Sequence, residues 1–109
     1  MLNGLYAVEF ATSRGGGTGV LFAVNQQIYG GDSAFAYFGT YGTEGKALKA
    51  RVTVQRHSNA PGFFALLGTD KATVDLEGTV GPEGGKVRGA TPQAPGLKIA
   101  VRLRRVQTG

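Results

Sequence analysis

Two carboxylates lie two residues apart in the segment Asp75-Leu76-Glu77. In a β-strand such a pair shares one face at a spacing of roughly 6 to 7 Å, so that one carboxyl could act as a general acid and the other as a base. The strands that a meander would place on either side carry basic residues at alternating positions, namely Lys49, Arg51, Lys86 and Arg88. We therefore predict that both carboxylates form cross-strand ion pairs on a solvated face. A hydrolase or isomerase that uses Asp75, Glu77 or His57 is the less favoured interpretation.

Two further features have residue types that are common in enzyme sites. The segment 14–19 has the glycine content of a phosphate-binding loop, but it lacks the Lys-Ser or Lys-Thr pair, and a predicted strand rather than a helix follows it. His57 is the single histidine of a chain without cysteine, so neither metal ligands nor triad partners stand near it in the sequence. The sequence therefore predicts a non-enzymatic protein with no catalytic residue, no metal site and no cofactor.

Asp32 follows Gly30-Gly31 at a predicted turn, where it could be an acid at the rim of a barrel. Short acidic side chains at such positions commonly accept hydrogen bonds from backbone N–H groups of the turn. We predict this structural role for Asp32.

The chain has 109 residues, which is enough for one domain, residues 1–109, with a single hydrophobic core. Its 19 glycines against four prolines indicate many tight turns rather than disorder. The absence of cysteine excludes disulfides and is compatible with a reducing compartment. Because the start of the chain lacks a basic leader and the apolar runs are short, the sequence predicts a cytoplasmic protein without a signal peptide or membrane helix.

Alternating apolar and polar residues, interrupted by turns about every ten residues, predict eight strands. Residues 3–10 and 20–24 form a predicted hairpin around a turn at 15–17, and strands at 27–29 and 34–41 follow. The remaining strands are predicted at 46–57, 72–80, 86–90 and 97–106. The pattern predicts an all-β fold, an eight-stranded antiparallel up-and-down barrel of the lipocalin-like (calycin) type, because closure removes the exposed edges of a sheet.

The alternation predicts that Val20 and Val24 face the barrel interior. It predicts the same orientation for six aromatic residues, which are Tyr6, Phe10, Phe22, Phe35, Tyr37 and Tyr41. The interior of an eight-stranded barrel can be filled by side chains or can hold one small ligand. The six aromatics therefore either pack as a core or line a cavity for a small hydrophobic ligand, and the sequence leaves both alternatives open.

One connection, residues 58–69, is too apolar for an ordinary surface loop. Long apolar connections usually cover an open barrel end or are buried in a second subunit. We predict a partner or dimer surface at its apolar residues, which are Pro61, Phe63, Phe64, Leu66 and Leu67.

The net charge of +5 favours acidic partners. Lys98, Arg102 and Arg104 are predicted to face outward on the last strand, with Arg105 following. The aromatic residues that stack on single-stranded bases are missing from this stripe, so the sequence does not favour direct nucleic-acid binding.

Four stretches, at residues 1–6, 30–41, 54–58 and 92–96, together resemble the GrlR-like family of small bacterial barrels, whose named members are negative regulators of type III secretion. The resemblance implies a lipocalin-type barrel that forms a homodimer and sequesters a transcription activator without catalysis. It also implies that the counterpart of the family's acidic partner-binding run lies at residues 42–46, where Glu44 is acidic and Lys46 follows. The leading interpretation is thus a regulatory protein that acts by protein–protein binding, and the alternative is a carrier or sensor of a small hydrophobic ligand.

Overall fold

The structure is a computed structural model that describes Met1, residues 3–59 and residues 66–108. Its strands are β1 (Gly4–Thr12), β2 (Gly15–Val24), β3 (Gln27–Gly31), β4 (Phe35–Glu44), β5 (Ala47–Arg56), β6 (Lys71–Gly81), β7 (Gly84–Ala90) and β8 (Ile99–Thr108). The described residues include no helix long and apolar enough to cross a membrane.

The eight strands form a closed antiparallel barrel in which each strand pairs with its neighbours in the chain. β1 closes the barrel by pairing with β8, so that Val8 lies opposite Leu103. The predicted eight-stranded up-and-down barrel is therefore confirmed. Among the described residues, closure leaves no edge strand to which another chain could add a strand.

The buried core lies toward one end of the barrel, which we call the core end. This end carries the β2–β3, β4–β5 and β6–β7 turns, the beginning of β1 and the end of β8. Tyr6, Tyr41, Leu48 and Val80 pack together there with little or no exposure to solvent. The opposite end carries the β1–β2, β3–β4, β5–β6 and β7–β8 connections, and we call it the cavity end.

The predicted inward orientation of Val20, Phe22 and Val24 is wrong. The first turn consists of Ser13 and Arg14 rather than the glycines at 15–17, which belong to β2 and pair with the end of β1. Tyr6 therefore lies opposite Leu21. Because a shift of one residue reverses which face every side chain of a strand occupies, Leu21 and Ala23 point inward while Val20 and Phe22 point outward.

The last strand also differs from the prediction at two positions. β8 begins at Ile99, so Lys98 precedes it. Arg102 and Arg104 are exposed, as predicted, but Arg105 is partly buried at the core end, where its Nη2 donates to the carbonyl oxygen of Asn3 at 2.8 Å. Arg105 lies two residues after the inward Leu103 and opposite the buried Tyr6, so strand alternation turns its side chain inward and the basic stripe excludes it.

Candidate ligand-binding site

The barrel encloses a cavity of about 470 Å³ at the cavity end. Most of its lining is aliphatic or aromatic and comes from the inward positions of the strands. The lining residues that are exposed to solvent include Gly15 and Gly16 at the start of β2 and Ser33 in the β3–β4 connection. The cavity therefore opens to solvent between the start of β2 and the β3–β4 connection, and it ends against the core.

Small residues at inward positions create this space. On β2, Gly17 lies opposite Phe10, and a Cβ at position 17 would lie 2.8 Å from the Phe10 ring. Gly19 accommodates Tyr37 in the same way, since a Cβ there would lie 2.8 Å from the Tyr37 hydroxyl. The two glycines let both aromatic rings lie against the backbone of β2 instead of filling the barrel.

The β3–β4 connection places a carboxylate at the cavity wall. Oδ1 of Asp32 accepts hydrogen bonds from the backbone N–H groups of Ala34 at 2.9 Å and Phe35 at 2.7 Å. The hydroxyl of Tyr37 donates to Oδ2 of the same side chain. The turn role predicted for Asp32 is confirmed, and the same side chain is part of the cavity lining.

Tyr37 is held in its protonated form. Burial raises the pKa of its hydroxyl well above the ordinary value, and the hydrogen bond to Asp32 and the negative charge of that carboxylate raise the pKa further. The hydroxyl therefore serves as a neutral hydrogen-bond donor beside Asp32.

Arg56, the last residue of β5, and His57, which follows it, support this wall. The backbone N–H of His57 donates to the carbonyl oxygen of Ala34 at 2.8 Å, and its ring Nε2 lies 2.9 Å from the carbonyl oxygen of Asp32. The guanidinium of Arg56 lies 4.8 Å from the centroid of the Phe35 ring, and its Nε donates to Asp70 at 2.8 Å. His57 thus has a structural contact with the turn.

The six aromatics predicted to face inward have three different positions. Phe10, Phe35 and Tyr37 line the cavity. Tyr6 and Tyr41 are buried in the core cluster, below the cavity. Phe22 lies on the outer face of β2 and is not part of the lining, for the reason given above.

The residues predicted as a partner or dimer surface are only partly described. Leu66 and Leu67 line the cavity, and the Leu66 carbonyl oxygen accepts a hydrogen bond from Arg14 Nη1 at 3.2 Å. Pro61, Phe63 and Phe64 lie outside the described residues. The described part of this connection therefore contacts the cavity and the β1–β2 turn.

The paired carboxylates lie on the outer surface. Asp75 forms an ion pair with Arg51 at 2.8 Å, as predicted, and both side chains are exposed. Glu77 lies in register with Lys49 and Arg88 on the same solvated face, but it forms no ion pair within the described residues, so the ion pair predicted for it is wrong. In the described part of the chain, no group of three or more histidine and carboxylate side chains could hold a metal ion.

A row of exposed aromatic side chains crosses the outer face of three strands. Phe22 pairs with Tyr29, and Tyr29 pairs with Phe38. These side chains are 37%, 53% and 39% exposed, respectively. We call these three residues the aromatic row. The residue types at the first turn were a signal for the outward position of Phe22. The Thr12 hydroxyl accepts a hydrogen bond from the backbone N–H of Arg14 at 3.0 Å, as in a tight hydroxyl-capped turn, and a turn at this place sets the register of β2.

Glu44, the acidic residue of segment 42–46, is the last residue of β4 at the core end. It is exposed, and so is Lys46 in the following turn. This turn therefore presents one charge of each sign.

No protein-family model matches this chain, and no curated protein matches it significantly. The resemblance to the GrlR-like family therefore stays a prediction.

Proposed function

We propose that this protein binds a small hydrophobic molecule inside the barrel and acts as a carrier or sensor rather than as an enzyme. The observation that supports this proposal is the size of the cavity, about 470 Å³ with a mostly apolar lining. Binding sites for small molecules generally range from about 300 to 1,000 Å³ and combine an apolar lining with a few polar groups. Asp32 and Tyr37 are polar groups of that kind.

Filling the cavity is expected to abolish binding. Ala72 is buried in the cavity lining on β6, so the phenyl ring of Ala72→Phe would occupy space that a ligand needs. We expect the affinity for an apolar fluorescent probe to fall by about tenfold or more, as measured by probe titration. Ala47→Phe, which adds the same ring at an exposed position of β5, is the matched control and should bind the probe as the original protein does. Equal probe affinity in Ala72→Phe would contradict the proposal.

A second candidate function is protein contact, and the aromatic row supports it. Within β1–β4, the charged residues are Glu9 and Glu44. The other half of the barrel carries most of the charge, with basic residues exposed on all four of its strands: Lys49, Arg51, Lys71, Lys86, Arg88, Arg102 and Arg104. Two copies that associate through β1–β4 would bury aromatic rings and keep their basic halves apart. The partner that fits this face best is therefore a second copy of the chain.

Charge placed in the aromatic row is expected to separate such a dimer. Phe38→Lys would bury an unpaired ammonium between the two copies, which opposes association. We expect sedimentation velocity to give twice the chain mass for the original protein and the chain mass for Phe38→Lys. Thr79→Lys adds the same charge at an exposed position of β6 and should leave the dimer intact. A monomeric original protein, or a dimeric Phe38→Lys, would rule out association through this face.

The regulatory role implied by the GrlR-like resemblance would use such a dimer to bind a transcription activator. Glu44 and Lys46 present opposite charges, so the turn that carries them is not suited to a strongly basic partner. Contact through the aromatic row does not depend on that turn. Purification from the native host, followed by native mass spectrometry, would separate the two functions by the mass that accompanies the protein.

A further inference from the structure

We propose that the cavity selects an amphipathic amine, a molecule with an apolar tail and a protonated amino group that binds Asp32; this inference rests on the ligand-binding function proposed above. The net charge of +5 would by itself suggest an anionic ligand such as a fatty acid. The charges at the cavity wall indicate the opposite.

Asp32 is the charged side chain among the described residues that line the cavity. The other polar side chains of the lining are neutral: Thr12, Thr18, Ser33, Tyr37 and Thr69. No lysine or arginine of the described chain is part of the lining, so no cationic side chain there could bind the carboxylate of a fatty acid.

The nearby cationic side chains have other partners. Arg56 forms its ion pair with Asp70 and also donates to the carbonyl oxygen of Ser58 at 3.1 Å. Arg14 donates to the carbonyl oxygen of Leu66. Within the described residues, no ion pair involves Asp32. The negative charge at the wall is therefore not neutralised by a side chain of the described part of the protein.

The hydrogen bonds of Asp32 leave one acceptor position open. Both lone pairs of Oδ1 are used by two backbone N–H groups, and one lone pair of Oδ2 is used by Tyr37. Since each carboxylate oxygen can accept two hydrogen bonds, the second lone pair of Oδ2 can accept one more. An ammonium group would supply both the missing donor and the missing positive charge, and a charge-assisted hydrogen bond of this kind is stronger than a neutral one.

The lining can also hold the tail of such a molecule. From Asp32 at the cavity end, apolar residues continue along the inner face to Val52, Leu48 and Leu103. A carboxylate head placed at Asp32 would instead meet a like charge in a partly buried setting, which disfavours binding.

Three molecules that share an alkyl tail and differ in their head group test the inference: decylamine, decanol and decanoate. Each is used to displace an apolar fluorescent probe from the protein at neutral pH. We expect decylamine to bind about tenfold or more tightly than decanol, and decanoate to bind most weakly. In Asp32→Asn the side-chain oxygen can still accept the two backbone hydrogen bonds, so the turn is kept while the charge is removed. The preference for decylamine over decanol should therefore disappear in this variant.

Asp75→Asn is the matched control, because it removes one negative charge from the outer face and should keep the preference for the amine. If Asp32→Asn does not fold, Asp32→Ser removes the same charge with a hydroxyl that can also accept from the N–H groups of the turn, and it should likewise abolish the preference for decylamine. Decanoate binding as tightly as decylamine, or an unchanged preference in Asp32→Asn, would overturn the inference. If decanol binds tightly and decylamine binds no more tightly, the selection of an amine is refuted while the proposed binding function of the cavity stands. If none of the three molecules displaces the probe, both proposals are refuted.

Discussion

Gly84→Ala is expected to prevent the barrel from closing between β7 and β8. Gly84 begins β7 with a φ of 122°, in a region that residues with a Cβ rarely adopt. A Cβ at this position would lie 2.0 Å from the carbonyl oxygen of Leu103 and 3.1 Å from Cα of Arg104. Because both obstacles are backbone atoms, no side-chain rotation relieves them. We expect a loss of about 4 kcal/mol or more in the free energy of unfolding, against a usual total of roughly 5 to 15 kcal/mol.

The measurement is urea denaturation followed by far-ultraviolet circular dichroism, since the chain has no tryptophan. Gly81, which pairs with Gly84 across the same turn, provides the matched control. A Cβ at position 81 would have no atom within 4 Å, so Gly81→Ala should change stability little. Equal stability of the two variants would show that the backbone does not approach position 84 as closely as described.

Tyr6→Ala is expected to have the largest effect of any truncation in the core. Tyr6 is 0% exposed and packs in the core end with Leu21 and Tyr41. Removing a large aromatic side chain from such a position leaves a cavity that the closed sheet can only partly collapse around, at a cost of about 3 to 5 kcal/mol. The same denaturation experiment measures this loss.

Tyr6→Phe separates the contribution of the ring from that of the hydroxyl. Burial raises the pKa of the Tyr6 hydroxyl, and the positive charge of Arg105 partly opposes that shift. Because the ring keeps its packing, we expect Tyr6→Phe to cost about 1 kcal/mol. A loss in Tyr6→Phe as large as that in Tyr6→Ala would mean that polar contacts, rather than packing, dominate at this position.

Local chemistry in the sequence was sufficient for several features of the site. The position of Asp32 after two glycines predicted its backbone hydrogen bonds, because a short acidic side chain reaches the N–H groups of its own turn. The alternation in β5 and β6 predicted the ion pair between Arg51 and Asp75. Both predictions depend on residues that are close in the chain or directly opposite in adjacent strands.

The orientation of β2 could not be obtained in this way. Its inward positions are Gly17, Gly19, Leu21 and Ala23, so three of its four large apolar side chains face outward and the alternation points to the wrong face. Only the two-residue turn at Ser13 and Arg14 fixes the register, and a change of one residue there reverses the whole strand. The aromatic row and the space of the cavity both follow from that register.

The sequence by itself determined the strands, their antiparallel order and the closed barrel, because period-two alternation and turn residues act over a few neighbouring positions. Whether the barrel is filled or hollow was decided by the tertiary structure alone. The cavity exists because Gly17 and Gly19 face Phe10 and Tyr37 across the strands while the bulky residues gather at the core end. Volume inside a closed sheet depends on which side chains meet across it, and that is set by register and closure rather than by composition.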